Sequence, residues 1–90
     1  MNKEVLLILL GLLKQHLTEN KSLRFGQALF NIIDTNFPQT KELRGSEVDP
    51  FYKNKRIPAY MEKVFELTNA TQEARNCWYQ GSIYKMFSKN

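Results

Sequence analysis

Cys77 and His16 are the one thiol and the one imidazole in the chain, and nucleophilic catalysis would need the thiol activated by a nearby base. They stand far apart in sequence, and each has an ordinary explanation. A cysteine on a helix face packs as a small hydrophobe, and a histidine near a helix C-terminus suits the negative end of the helix dipole. A lone Cys and a lone His provide neither an intramolecular disulfide nor a zinc site within one chain, which fits a reducing cytoplasm. The glycines at positions 11, 26, 45 and 81 are isolated, so neither a phosphate-cradling loop nor a dinucleotide fingerprint is present. Carboxylates are the remaining route to catalysis: Glu47 and Asp49 lie close together, with Asp34 further back, and a hydrolase can use such a pair. Asp49 precedes Pro50, however, and that position is already accounted for by a turn-initiating side chain. The reading therefore assigns no catalytic residue, no metal ligand and no cofactor.

Three other groups could bind. Arg24, Gln27, Asn31 and Asp34 or Thr35 recur at helical spacing as one stripe of short or planar hydrogen-bonding groups. Two uses stay open for it: a ligand or partner site, and an internal network that holds a loop containing Asp49 and Arg56. Lys53, Lys55 and Arg56 follow Phe51 and Tyr52, the mixture of cations and rings with which single-stranded nucleic acid is held. Glu47 and Asp49 partly cancel that charge. Near the C-terminus, Trp78, Tyr79, Tyr84 and Met86 form a candidate partner-binding set, because Trp and Tyr are enriched at protein interfaces. Core packing is the competing use for Trp78 and Phe87; Tyr79, Tyr84 and Met86 cannot all point the same way as those two.

The elements that must position these groups read as helices. Residues 3–18 contain no proline and good helix formers throughout, apart from Gly11, which costs about 1 kcal/mol relative to Ala. Their apolar side chains cover most of the circumference, which makes this helix a central packing element or one partly covered by another molecule. Ser22 is a plausible N-cap for a second helix over residues 23–36, where Phe25, Ala28, Leu29, Ile32, Ile33 and Phe37 keep the i, i+3, i+4, i+7 spacing of one face. Pro38 stops it. Residues 40–44 suit one further helical turn, ended by Gly45 in the left-handed region. Residues 45–56 have turn residues and no helical period, a long loop that Phe51 and Tyr52 can anchor.

A third helix begins near Ile57 with Pro58 in its first turn, and buries Tyr60 or Met61 with Val64, Phe65 and Thr68. Asn69 or Thr71 caps a last helix carrying Ala74, Cys77, Trp78, Tyr84 and Phe87, with Gly81-Ser82 a weak point or break. The expected fold is all-α: one domain over residues 1–90, a compact bundle of four helices with one irregular loop at about 45–56.

Ninety residues with 42% hydrophobic and 24% charged content leave room for one core and exclude a multidomain enzyme. A chain this short is marginally stable alone, so a homo-oligomer or a permanent partner stays open. A net charge of +4 permits affinity for nucleic acid or an acidic protein surface. The apolar run from Val5 to Leu13 is far shorter than the about 20 residues that span a bilayer, and no small-residue cleavage site follows it. No membrane partner is expected.

Residues 23–31, Leu-Arg-Phe-Gly-Gln-Ala-Leu-Phe-Asn, and residues 44–60, Arg-Gly-Ser-Glu-Val-Asp-Pro-Phe-Tyr-Lys-Asn-Lys-Arg-Ile-Pro-Ala-Tyr, resemble a group of small proteins encoded by bacteriophages and prophages. Their shared pattern is approximately R-x-G-Q-A-L-x-N followed by G-[ST]-x-x-D-P-F-Y-x-[ND]-x-R-[IL]-P-A-[FY]. The likeness covers residues 23–60 and takes in Arg24, Gln27 and Asn31 from the stripe and Asp49, Tyr52 and Arg56 from the loop, a coincidence that favours docking of loop on helix. It implies a mobile-element origin and carries no activity with it. Residues 1–22 and 61–90 fall outside the pattern.

Together these readings lead to a non-enzymatic phage-type accessory protein in the cytoplasm of a bacterial host, binding a host protein such as a defence nuclease and modulating or inhibiting it. The alternative is a nucleic-acid or nucleotide-binding module using Arg24, Gln27, Asn31, Lys53, Lys55 and Arg56.

Overall fold

The leucine-rich start folds as α1, Lys3–Glu19, in the computed structural model, which describes residues 1–89. The Asn2 side chain caps it by accepting the Val5 N–H at 2.9 Å, satisfying one of the donors a helix N-terminus leaves free. α2 spans Phe25–Asn36, α3 Ile57–Leu67, α4 Gln72–Gln80 and α5 Ser82–Phe87, with 3-10 turns at Pro38–Leu43 and Asn54–Arg56. No strand occurs among the described residues. The architecture is the expected small helical bundle with one long connection. Gly81, with extended backbone at φ −79° and ψ 157°, divides the expected last helix into α4 and α5.

Local chemistry accounts for most ends. Phe37 sits outside helical geometry before Pro38, and Gly45 adopts φ 74° after the first 3-10 turn. At the end of α3 the Ala70 N–H donates to the Phe65 carbonyl at 2.9 Å and the Asn69 N–H to the Glu66 carbonyl at 3.3 Å. With Asn69 at φ 50° this is a Schellman closure, so Asn69 terminates α3 while Thr71 caps α4 through the Ala74 N–H at 3.1 Å.

The second helix starts differently from expectation. Ser22 does not cap it; the N-cap position is Arg24, which supplies no side-chain acceptor. Instead the Asn54 side chain, from the far end of the long loop, accepts the Gly26 N–H at 2.8 Å. A tertiary contact does what the sequence reading assigned to a local residue.

The core is a single cluster drawn from α1, α2, α3 and α4 together with Leu43. Its centre is α3, where Ile57, Tyr60, Met61, Val64 and Phe65 are all fully buried; each such side chain contributes about 1.5–3 kcal/mol of burial. α1 packs across α2 and α4. It buries Leu6, Leu9 and Leu13 but leaves Leu7 50%, Ile8 64% and Leu12 42% exposed. It therefore packs into the core along one face and leaves apolar surface open on another.

On α2 the expected face is partly redrawn. Ala28, Leu29 and Ile33 are buried, Phe25, Ile32 and Phe37 are half-buried, and Phe30, from outside the predicted stripe, is buried too. The reason is the loop. Phe51 lies edge-on to Phe30 with ring centroids 5.8 Å apart, and Tyr60 flanks Phe30 at 6.0 Å.

Candidate functional site

The loop at residues 45–56 is fastened by the residues that look most like chemistry. Asp49 accepts the Gly45 N–H at 2.6 Å through one carboxylate oxygen and the Phe51 N–H at 2.9 Å through the other. Arg56 donates to the Asp49 carbonyl at 3.2 Å, and Arg24 donates to the Phe51 carbonyl at 3.1 Å while lying 5.8 Å from the centre of the Tyr52 ring. Pro50 is buried against Gly26 so closely that a Cβ at position 26 would stand 2.1 Å from the Pro50 oxygen. Glycine is required there by space. Arg24 and Arg56 thus brace the loop, while Gln27 and Asn31 are half-buried beside it and make no side-chain hydrogen bond among the described residues. Lys53 and Lys55 remain exposed. Of the six residues considered for a ligand or nucleic acid, Arg24 and Arg56 brace the loop, Lys53 and Lys55 are open surface, and Gln27 and Asn31 are half-buried and do neither.

Asp34 and Asp49 are each committed to other partners, although both carboxylates act on the buried Tyr60 phenol. Asp34 is buried and binds Arg44 at 2.7 Å and Lys41 at 3.2 Å. Burial alone would raise its carboxyl; the hydrogen bonds and charges of Arg44 and Lys41 outweigh burial and hold it below its ordinary value. Both Asp49 oxygens serve backbone N–H groups, and Glu47 lines a separate shallow cleft with Leu43, Val48 and Lys63. Cys77 shares a cleft with Lys3 at the start of α1, whereas His16 lines another near the end of that helix. His16 is thirteen positions along the helix from Lys3, about 20 Å at 1.5 Å per residue. Among the described residues no group of three or more His, Cys, Asp or Glu side chains could hold a metal ion.

The C-terminal aromatic set needs correction. Trp78, placed among the partner-binding residues, is 1% exposed and stacks edge-on between Phe65 at 6.4 Å and Tyr84 at 6.2 Å. Its burial under α3 and α5 removes it from any docking surface. Tyr79 and Tyr84 are half-buried and pack together at 5.1 Å, and the Tyr79 hydroxyl donates to Glu62 at 2.5 Å. That hydrogen bond, with burial and the Glu62 charge, raises the Tyr79 phenol above its ordinary value despite Arg75 nearby. Only Met86 of the set is open, 56% exposed.

Met86 belongs to a larger feature. Leu10, Leu13 and Leu17 of α1 form one wall of a groove of about 700 Å³; Ile83 and Met86 of α5 form the other. Leu23 and Phe25, where the chain enters α2, complete the apolar lining, and Phe87 supports Phe25 at 5.4 Å. Its polar lining is Lys14, Thr18, Lys21 and Ser82. The volume lies in the range of ligand and peptide clefts. Except for Met86, the groove residues were missed as a site. The signal was the apolar circumference of α1, which showed that some of its leucines would lack a core to enter but not which ones.

No helix among the described residues is long and apolar enough to cross a membrane. Comparison with protein-family models, with curated proteins and with solved structures returns no match.

Proposed function

We propose that this is a non-enzymatic binding protein, a phage-type accessory factor that acts in the bacterial cytoplasm by docking on a host protein through the α1–α5 groove and modulating or blocking it. A host defence nuclease is one target of the kind such a factor meets. The single observation that carries the reading is the open apolar groove on a small basic chain, lined by none of Cys77, His16, Asp34, Glu47 or Asp49. Apolar concavities of this size on a domain of this size mark interaction sites.

The test uses the tagged chain and its Met86→Glu variant as baits in a bacterial lysate. Met86 is exposed, so the variant keeps its melting temperature. A host protein held by the parent chain and lost by the variant is expected; an identical set of retained proteins would overturn the reading.

A second reading draws on the loop tip. Tyr52 is 78% exposed and has Arg24, Lys53 and Lys55 around it in space or sequence, an aromatic platform with cations suited to single-stranded nucleic acid. Affinity for an oligonucleotide that falls steeply with salt supports it, and binding that is absent or indifferent to salt removes it.

A further inference from the structure

We infer that the occupant of the α1–α5 groove is an acidic amphipathic helix, a segment of a partner protein whose apolar stripe is bordered by Asp or Glu. The inference rests on the groove being a docking surface and adds the chemistry of what docks. Shape comes first. The groove is a trough between two helices and not a closed cavity, with Leu10 and Leu17 seven residues apart along one wall. That is about 10 Å, or two helical turns, the reach of apolar anchors spaced i, i+3 or i+4, and i+7 on an incoming helix.

Charge selects among such helices. Lys14 and Lys21 line the groove and no carboxylate does. Neither lysine enters an ion pair among the described residues, where the ion pairs join Asp34 to Lys41 and Arg44, Lys63 to Glu66, and Arg75 to Glu62. Glu19 faces the other side of α1, in the cleft it shares with Leu12, His16 and Ile32. An apolar trough edged by unpaired cations attracts an acidic partner and disfavours a basic one, since complementary potential sets which partner is accepted. A lipid surface is less suited, because the leucines of the trough are recessed between two helices while the exposed Leu12 turns toward the opposite cleft.

The experiment titrates the full chain into two labelled synthetic helices of about five turns. They share a leucine stripe; one carries Glu at its flanking positions and the other Lys. The acidic peptide is expected to bind at least about tenfold more tightly than its basic twin, to weaken with salt, and to shift the methyl signals of Ile83 and Met86. Lys14→Glu combined with Lys21→Glu, both at exposed positions, should invert the preference while leaving the melting temperature in place. Equal binding of both peptides, or of neither, overturns the acidic-helix inference. So does a dimer in solution that Met86→Glu dissociates, which makes a second copy the occupant, and so does binding to phosphatidylglycerol vesicles that the acidic peptide fails to displace. None of these touches the lysate comparison: a host protein still lost by Met86→Glu would keep the groove as a docking site and remove only the chemistry assigned to its occupant.

Discussion

The loop seated on α2 and the groove between α1 and α5 use opposite materials for opposite ends. The loop region holds the residues that resemble a site, Arg24, Asp49, Arg56 and the close approach at Gly26, and spends nearly all of them on its own backbone. The groove holds residues that resemble a core, Leu10, Leu17, Ile83 and Met86, yet leaves them open beside two unpaired lysines. Polar groups that must be satisfied on burial make a scaffold of the first region. Apolar surface left in water, without a partner in the chain, makes the second the surface that has something to gain from binding.

Breaking the loop region should have the largest consequence. Gly26→Ala places a methyl group 2.1 Å from the Pro50 carbonyl oxygen, a backbone atom that cannot move without lifting the loop and parting Asn54 from the Gly26 N–H. The expected destabilisation is about 3 kcal/mol, at the upper end of ordinary overpacking, read as a lowered midpoint in urea. A variant as stable as the parent would show that the loop is not seated as described.

The buried carboxylate beside this scaffold gives the next effect. Asp34 is held below its ordinary pKa of 3.8 in the folded chain, so it adds stability at pH values above that of the unfolded chain and loses it as pH falls through the lower folded value. Asp34→Asn should cost about 1–2 kcal/mol at neutral pH, the range for losing a charged hydrogen bond to partly exposed partners, and should flatten the fall in stability as pH drops below the ordinary carboxyl value of 3.8. Chemical denaturation of both proteins above and below that value checks the sign. Asn54→Ala removes the remote cap of α2 and should cost about 1 kcal/mol, the usual worth of an N-cap.

That remote cap also marks where sequence reasoning stops. The face of α2 was legible at Ala28, Leu29 and Ile33, the stop at Pro38 and the left-handed Gly45 likewise, because periodicity and turn chemistry act over a few residues. The Gly81 break and the buried face of α3 are legible for the same reason. What was not legible depends on residues far apart. Asn54 reaches Gly26 across 28 positions, and Phe51 covers Phe30 only once the loop has folded back. The candidate site suffered most. An apolar helix reads the same whether its leucines meet other helices or water, and Trp78 reads as an interface residue until α3 and α5 are placed around it.

The smallest effect sharpens the contrast most directly, because it repeats the first substitution with the opposite sign. Gly11 sits mid-way along α1, exposed, and a Cβ there would meet nothing within 4 Å. Gly11→Ala removes the excess backbone freedom of glycine from a helix interior at no steric cost, and should stabilise the chain by about 0.5–1 kcal/mol. Position 11 is not among the groove-lining residues, so affinity for the acidic peptide should stay as it is. Loss of that affinity with a gain in stability would mean that the docking surface extends around α1 to Leu7 and Ile8, whose exposure the groove alone does not explain. One glycine admits no methyl group because the chain itself fills its space; the other admits one freely, because nothing among the described residues comes within 4 Å of the place its Cβ would take.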